Sequence, residues 1–249
     1  MLTIGSICTG TGAMDKALED EGFGPVVYQI ENDPFCQKLL ARHFPETQKL
    51  DDVRQARSLP YVDLVCAGFP CQDLSVAGKG RGLSGDRSGL WSEVRRIVEE
   101  SRPAYVLIEN VAAGKRRWLP YVRRDLHLLG YRTRAYQVSA ADVGAPHLRR
   151  RVFVLADAVG VPLRHEPERL PPRRQGALQG PGQGEPLDAR SSGRSPQSPA
   201  WPAPPEIPRV DDGLADRLDR ERALGNAVVP AQVAVVARIL RDLVMECAP

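Results

Sequence analysis

The chain predicts an α/β fold, a doubly wound and mostly parallel sheet with a small irregular insertion, on three observations. Apolar runs alternate with amphipathic segments through residues 2–158, the pattern of a sheet whose two faces are both covered by helices. The alternation stops where proline concentrates. Of the 22 prolines, 12 fall between Pro162 and Pro208, beside the runs QGALQGPGQGEP and SSGRSPQSPAWPAPP, and this stretch has neither helical nor strand periodicity. Composition allows a sizeable core, since 42% of the 249 residues are hydrophobic and 26% charged, which excludes a wholly disordered chain.

The elements follow in order. LTIGSI reads as a buried strand, and TGAMDKALEDEG as a helix opened by a glycine turn. VVYQI is β-branched and aromatic, and PFCQKLLARHF after it starts with proline, which suits a first helical turn. YVDLVCA and AYVLI are short continuous apolar runs, as expected of central strands, and each precedes an amphipathic segment, GLWSEVRRIVEE and WLPYVRRDLHLLG. YRTRAYQV and RRVFVLA are the last two strands of the alternation. After the proline-rich stretch, GNAVVPAQVAVVARILRDLVMEC begins at a Gly-Asn turn and continues with apolar positions at helical spacing, predicting a terminal helix that packs back on the sheet. The organisation expected is a catalytic and cofactor-binding unit at 1–158, a short Pro/Gly/Arg-rich recognition region at 159–209 and a returning segment at 210–249.

Charge is nearly balanced, 34 Lys and Arg against 31 Asp and Glu, a net +3. Only five of the cations are lysine. Abundant arginine suits bidentate contacts to phosphate and guanine, and equally suits the codon usage of a GC-rich genome. The five cysteines are an odd number, scattered, with neither zinc nor disulfide spacing. No run approaches the about 18–20 apolar residues that span a bilayer, and MLTIGSICTG lacks the basic and apolar regions of a secretory signal. The expectation is a cytoplasmic protein with reduced thiols and no membrane partner.

Three places carry chemistry. Gly10-Thr11-Gly12 follows the first strand and opens a helix, so backbone N–H groups can approach a ligand there. Acidic Glu31 ends the second strand, where a carboxylate can hold a ribose diol. Together they suit an adenosine-containing cofactor. The missing third glycine of the dinucleotide fingerprint favours a nucleoside such as S-adenosyl-L-methionine over a pyrophosphate, although a plain glycine turn with an incidental acid fits the same residues. In VDLVCAGFPCQDLSVAGKGRGLSGDRSGLW a buried strand runs out into Gly68-Phe69-Pro70-Cys71-Gln72, which puts Cys71 at the ligand edge of such a sheet. The glycine-rich residues 78–89 suit a closing loop, while Cys8, Cys36, Cys66 and Cys247 read as small buried apolar residues. AYVLIENV ends in Glu109-Asn110, at the same edge if the two strands are neighbours. A thiolate beside a carboxyl group suits addition to carbon 6 of a pyrimidine, which makes carbon 5 nucleophilic while the carboxyl group contacts ring nitrogen 3 and the exocyclic amine.

With these residues in place the chain resembles the DNA cytosine carbon-5 methyltransferases, and carries that family's motifs in the family's order. GSICTGTGAMD, YQIENDPF and DDVR resemble the cofactor motifs, GFPCQDLS the nucleophile motif and IENV the carboxyl motif. SAADVGAPHLRRRVFVLA resembles the arginine-bearing motif and ALGNAVVPAQVA the last one. The resemblance covers about residues 1–158 and 210–240. It implies a Rossmann-like, S-adenosylmethionine-dependent fold and DNA (cytosine-5-)-methyltransferase activity on a base flipped out of double-stranded DNA. It also implies that Cys71 attacks carbon 6, that Glu109 contacts the cytosine edge, and that Arg149 and Arg151 hold the flipped base and the nucleophile loop. Cys8, Thr9, Gly10 and Gly12 would line the cofactor from the first motif, Glu31 and Asn32 from the second. Asp52 would accept from the adenine amine, with Gly68, Pro70, Trp91 and Asn226 completing the site. Arg81, Arg87 and the run 149–151 would contact phosphates, making binding salt-dependent. A monomer is expected, with a cognate restriction endonuclease as a functional partner or, alternatively, a solitary phage-like role.

The chain departs from the family pattern in three places. Cys8 stands where an aromatic residue usually stacks near the adenine, shifting weight to the wall around Trp91. His147 stands where a glutamine precedes the paired arginines, while His43, His127 and His165 read as structural or surface residues. Residues 159–209 are few for a recognition domain with its own core. They form either a loop-built reader using Arg164, Arg169, Arg173, Arg174, Arg190 and Arg194, or a stretch without fixed structure. Two rivals remain: a DNA-holding protein that does not turn over, and a cysteine hydrolase, which needs a histidine beside Cys71. An amino-methylating enzyme is disfavoured, since Pro171-Pro172 and Pro204-Pro205 are followed by Arg and Glu.

Overall fold

The computed structural model describes residues 2–70, 89–158 and 227–246. Strands β1 (Ile4–Ile7), β2 (Val26–Ile30) and β3 (Gln48–Leu50) are joined by helices α1 (Ala13–Asp20) and α2 (Pro34–His43). Next come β4 (Leu64–Ala67), α3 (Leu90–Ser101), β5 (Tyr105–Val111), α4 (Lys115–Leu128) and β6 (Tyr131–Ser139). A 3₁₀ turn (Ala140–Val143) leads to β7 (Arg150–Ala158), and α5 (Pro230–Glu246) closes the described chain. The seven strands form one sheet in the order β3-β2-β1-β4-β5-β7-β6. β1 to β5 pair in parallel, whereas β7 is antiparallel to both β5 and β6.

The reversal at β7 has a simple cause. A parallel return needs a crossover of about a dozen residues or more, usually a helix, and residues 140–149 hold only the single 3₁₀ turn. Strand β3 has no counterpart among the strands read from the sequence. It is three partly polar residues, too short to show a period.

Alternate residues of the strands feed two cores, one on each face of the sheet. Val106 and Ile108 of β5, with Val152 and Val154 of β7, meet Val94 and Ile97 of α3 and Trp118 and Val122 of α4. On the other face Leu107, Phe153 and Leu155 meet Met14 and Leu18 of α1, Leu40 of α2, and Val233, Val236 and Leu240 of α5. Burying a side chain of this size contributes about 1.5–3 kcal/mol, so the two faces together order both edges of the sheet. Asp33 caps α2 by accepting from the Phe35 and Cys36 N–H groups at 2.9 and 3.0 Å, a cap set just ahead of Pro34. No helix among the described residues is long and apolar enough to cross a membrane.

Candidate active site

The parallel strands β1, β2, β4 and β5 all end on one edge of the sheet, and β7 begins there because it runs the other way. This arrangement forces residues distant in sequence into one cleft, the usual ligand position of an open α/β sheet. A cavity of about 620 Å³ occupies it, well within the range of about 300–1,000 Å³ for small-molecule sites.

One wall comes from the β1 and β2 ends. Cys8, Gly10 and Gly12 all have left-handed backbones, with φ of 54°, 59° and 77°, so the chain turns sharply out of β1. The Gly10 N–H is not offered to the cavity: it donates to Glu31 Oε2 at 2.7 Å, and the Asp33 N–H donates to Glu31 Oε1 at 2.8 Å. Glu31 is thereby fixed at the mouth, and each oxygen keeps a further lone pair for hydroxyl donors. Asp33, Asp51 and Asp52 add to this acidic side, with Asn32 beside them, and Cys8 and Thr9 line the wall above β1. Asp52 accepts from the Arg54 N–H at 2.9 Å.

Beneath this wall lies a buried polar network that sequence reasoning missed. Asp15 accepts from Ser6 Oγ and from Gln29 Nε2, both at 2.7 Å, and Cys66 Sγ lies 3.6 Å away. Thr9 Oγ1 donates to Ser6 Oγ at 3.1 Å, tying the network to the turn above. Burial pushes the Asp15 carboxyl up to about 6, against the lowering effect of these hydrogen bonds, and pushes the Cys66 thiol well up. Cys66 is therefore an inert core thiol, as read from the sequence.

The opposite wall is built on β4, β5 and β7. Glu109 lies at the end of β5, 8% exposed. Arg151, paired with Val111 in the adjacent strand, brings its Nε to 2.7 Å from Glu109 Oε1. The two side chains, both largely buried, form an ion pair inside the site. Burial pushes the Glu109 carboxyl up to about 7, and the Arg151 and Arg149 guanidiniums oppose it without cancelling it. A Cβ at Gly68 would come within 3.3 Å of Glu109 Oε2, so glycine keeps the carboxyl group open to the cavity. Asn110, absent from the residues expected, donates from Nδ2 to the Phe69 carbonyl at 2.9 Å. The Phe69 ring packs against Trp91 and Trp118. The segment leading into Cys71 is thus held at both its carbonyl and its ring.

Of the residues expected at the site, the cavity brings together Cys8, Thr9, Gly10, Glu31, Asn32, Asp52, Gly68, Pro70, Glu109 and Arg151. Three described ones sit elsewhere. A Cβ on Gly12 would lie 2.7 Å from the Phe44 ring and 2.9 Å from Leu40, so this glycine serves the packing of α1 on α2. Trp91 is core, its Nε1 donating to Asp125 at 2.9 Å, and it backs Phe69 instead of facing the cavity. Arg149 donates from Nη2 to the Ala227 carbonyl, and burial lowers its pKa. It secures the returning segment, where Ala227 and Val228 do line the cavity. Cys71 and Asn226 lie outside the described residues, as do residues 159–209, Arg81, Arg87 and His165.

Gln232 also went unpredicted. It is fully buried in α5, and its Nε2 donates to the carbonyls of Val138 and Arg149, both at 2.8 Å. The one sequence signal was a lone amide in an otherwise apolar helical face. None of the described histidines lines the cavity: His43 and His127 belong to α2 and α4, and His147 is exposed.

A family model for C-5 cytosine-specific DNA methylases matches residues 2–180. The type II methyltransferase M2.BsuMI of Bacillus subtilis (strain 168) is 38% identical over 160 residues, 61% of this chain and 41% of its own length. The type II methyltransferase M.HhaI of Haemophilus parahaemolyticus is 33% identical over 152 residues, 59% of this chain and 46% of its own length. The chain thus spans less than half the length of these two curated relatives. Among solved structures, an E. coli prophage-encoded DNA modification methyltransferase superposes with a TM-score of 0.55 at 25% identity, over 67% of this chain and 49% of that one. A Spodoptera frugiperda DNMT2 variant shares the fold, with a TM-score of 0.55 at 22% identity, over 69% of this chain and 56% of that one.

Proposed function

Because the chain belongs to the C-5 cytosine-specific DNA methylase family, we propose that it transfers a methyl group from S-adenosyl-L-methionine to carbon 5 of cytosine in a specific sequence of double-stranded DNA. The observation that carries this reading is Glu109. A carboxyl group nine-tenths buried, balanced near neutrality at about 7 and paired with Arg151, opens into the same cavity as Pro70, the neighbour of Cys71 in the chain.

The residues present fit the cofactor. The acidic side of the cavity, with both Glu31 oxygens anchored by backbone N–H groups, suits ribose hydroxyls and an amine, and Asp52 supplies a further acceptor. When bound, S-adenosylmethionine supplies an electrophilic methyl group. The chain's residues supply the rest. The Cys71 thiolate adds to carbon 6 of the cytosine, and Glu109 holds a proton at ring nitrogen 3, so that charge does not build up on the ring. Carbon 5 is then an enamine carbon and nucleophilic. Loss of its proton after methylation and elimination of Cys71 restore the aromatic ring. Arg151 keeps Glu109 oriented, and the base reaches the cavity only by leaving the duplex stack. The enzyme serves either as the modification partner of a restriction endonuclease or as a solitary methylase.

Expression in a methylation-free bacterial host, followed by bisulfite sequencing of total DNA, tests this. A short motif methylated by the wild type and not by Cys71→Ser is the expected result. Soluble, cofactor-binding protein that leaves the DNA unmethylated would overturn it.

A further inference from the structure

Three residues separate the end of β5 from the start of helix α4, on the sheet edge that carries Glu109. Its first three residues are Lys115, Arg116 and Arg117, all exposed. The Ala112 N–H donates to the Arg150 carbonyl at 3.3 Å, and Trp118 Nε1 donates to the Val111 carbonyl at 3.2 Å, so this first turn is fastened to the strands that bear Glu109 and Arg151.

The charge there runs against helix electrostatics. The N-terminus of a helix is its positive end and favours acids, yet this first turn contains no acid and no side-chain cap. None of the three cations forms an ion pair among the described residues. Lys115 donates to Gln137 on β6 at 2.6 Å, while Arg116 and Arg117 make no side-chain hydrogen bond among the described residues. Pro120, one turn on, has no N–H to give the Arg116 carbonyl, which weakens the turn further. Exposed Arg150 extends the basic rim, whereas Glu31, Asp33, Asp51 and Asp52 make the other rim acidic. Such a turn is offset by a polyanion docking on it. The far end of α4 differs: Arg123 donates to Thr133, and Arg124 binds Asp125 and lies over the Tyr121 ring. It sits about 12 Å further along the helix axis, away from the cleft.

We propose that Lys115, Arg116 and Arg117 form a phosphate-binding platform that holds the backbone of the DNA duplex flanking the target cytosine, on the rim opposite the acidic one. This rests on the DNA-directed reading above, and adds a contact surface outside the motifs that suggested it. The platform reads no bases, so it acts equally on every sequence.

The test is equilibrium binding of the full chain to a short random-sequence duplex over a salt series, without cofactor. Lys115→Gln/Arg116→Gln/Arg117→Gln should flatten the slope of log affinity against log salt by about 2–3, at about 0.9 for each phosphate that is no longer neutralised. Arg123→Gln/Arg124→Gln, at the far end, should leave the slope at the wild-type value. Equal slopes for the triple variant and the wild type, with both folded by circular dichroism, would overturn the proposal, as would an equal flattening in the far-end pair. Since binding is read without turnover, a wild type that methylates nothing would remove the proposed activity and leave a slope change interpretable.

Discussion

Glu109 is held between opposing influences: burial favours its neutral form, and two guanidiniums favour its charged form. A carboxyl group balanced near 7 can keep a proton at physiological pH and share it with a ring nitrogen, which an ordinary exposed glutamate cannot. Glu109→Gln keeps the shape and removes the transferable proton. Single-turnover methyl transfer should slow by about 100- to 10,000-fold, with DNA binding retained in a gel-shift assay, and an unchanged rate would take Glu109 out of the mechanism. Asp15 has a different role, since its partners are all internal. Its folded-state carboxyl titrates near 6, against an ordinary value of 3.8, so the folded chain holds this proton more tightly than the unfolded one. That contribution to stability is complete below pH 3.8 and is lost as the pH rises through about 6. Asp15→Asn should therefore gain stability relative to the wild type as pH rises between about 4 and 7, read from urea midpoints at each pH. A pH-independent difference would show that the Asp15 carboxyl does not titrate there.

Among the elements, α5 and the β6–β7 hairpin are joined through one amide. Gln232 bridges the carbonyls of Val138 on β6 and Arg149 just ahead of β7, close to where Arg149 reaches Ala227. The bridge sets how the hairpin carrying Arg151 meets the returning segment. Gln232→Leu fills the same volume and removes both donors, so it should cost about 1–3 kcal/mol. The measure is a lower urea midpoint with an unchanged slope, and a midpoint equal to the wild type's would mean that the bridge contributes nothing net. The hairpin also shows how element order constrains chemistry. Without a crossover helix β7 must run antiparallel, and only that direction sets Arg151 at the β5 end beside Glu109.

Across the whole molecule, a net charge of +3 conceals a division at the cleft, acidic on the β2–β3 side and basic on the β5–β7 side. S-adenosylmethionine carries one net positive charge and, on the proposed function, would meet the acidic side, whereas DNA is a polyanion with condensed counterions. Cofactor affinity measured by calorimetry should change little with salt, while duplex affinity falls log-linearly. Equal salt dependence of the two would contradict this division. Much of the fold was legible in the residues, because alternating apolar and amphipathic segments specify layers whatever their final order. So were Glu31 and Glu109, as acids placed at strand ends. The antiparallel β7, the three-residue β3 and the sheet order were not, since pairing is a property of two strands together and leaves no period in either one. The same holds for the placement of Gly12 and Trp91 in the packing, for the turn of Arg149 toward Ala227, and for the Asp15 and Gln232 networks. A side chain's residue type shows what it can do, but which neighbour it meets depends on contacts that join distant parts of the chain, such as the 94 residues between Gln232 and Val138, and arise only when the sheet has assembled.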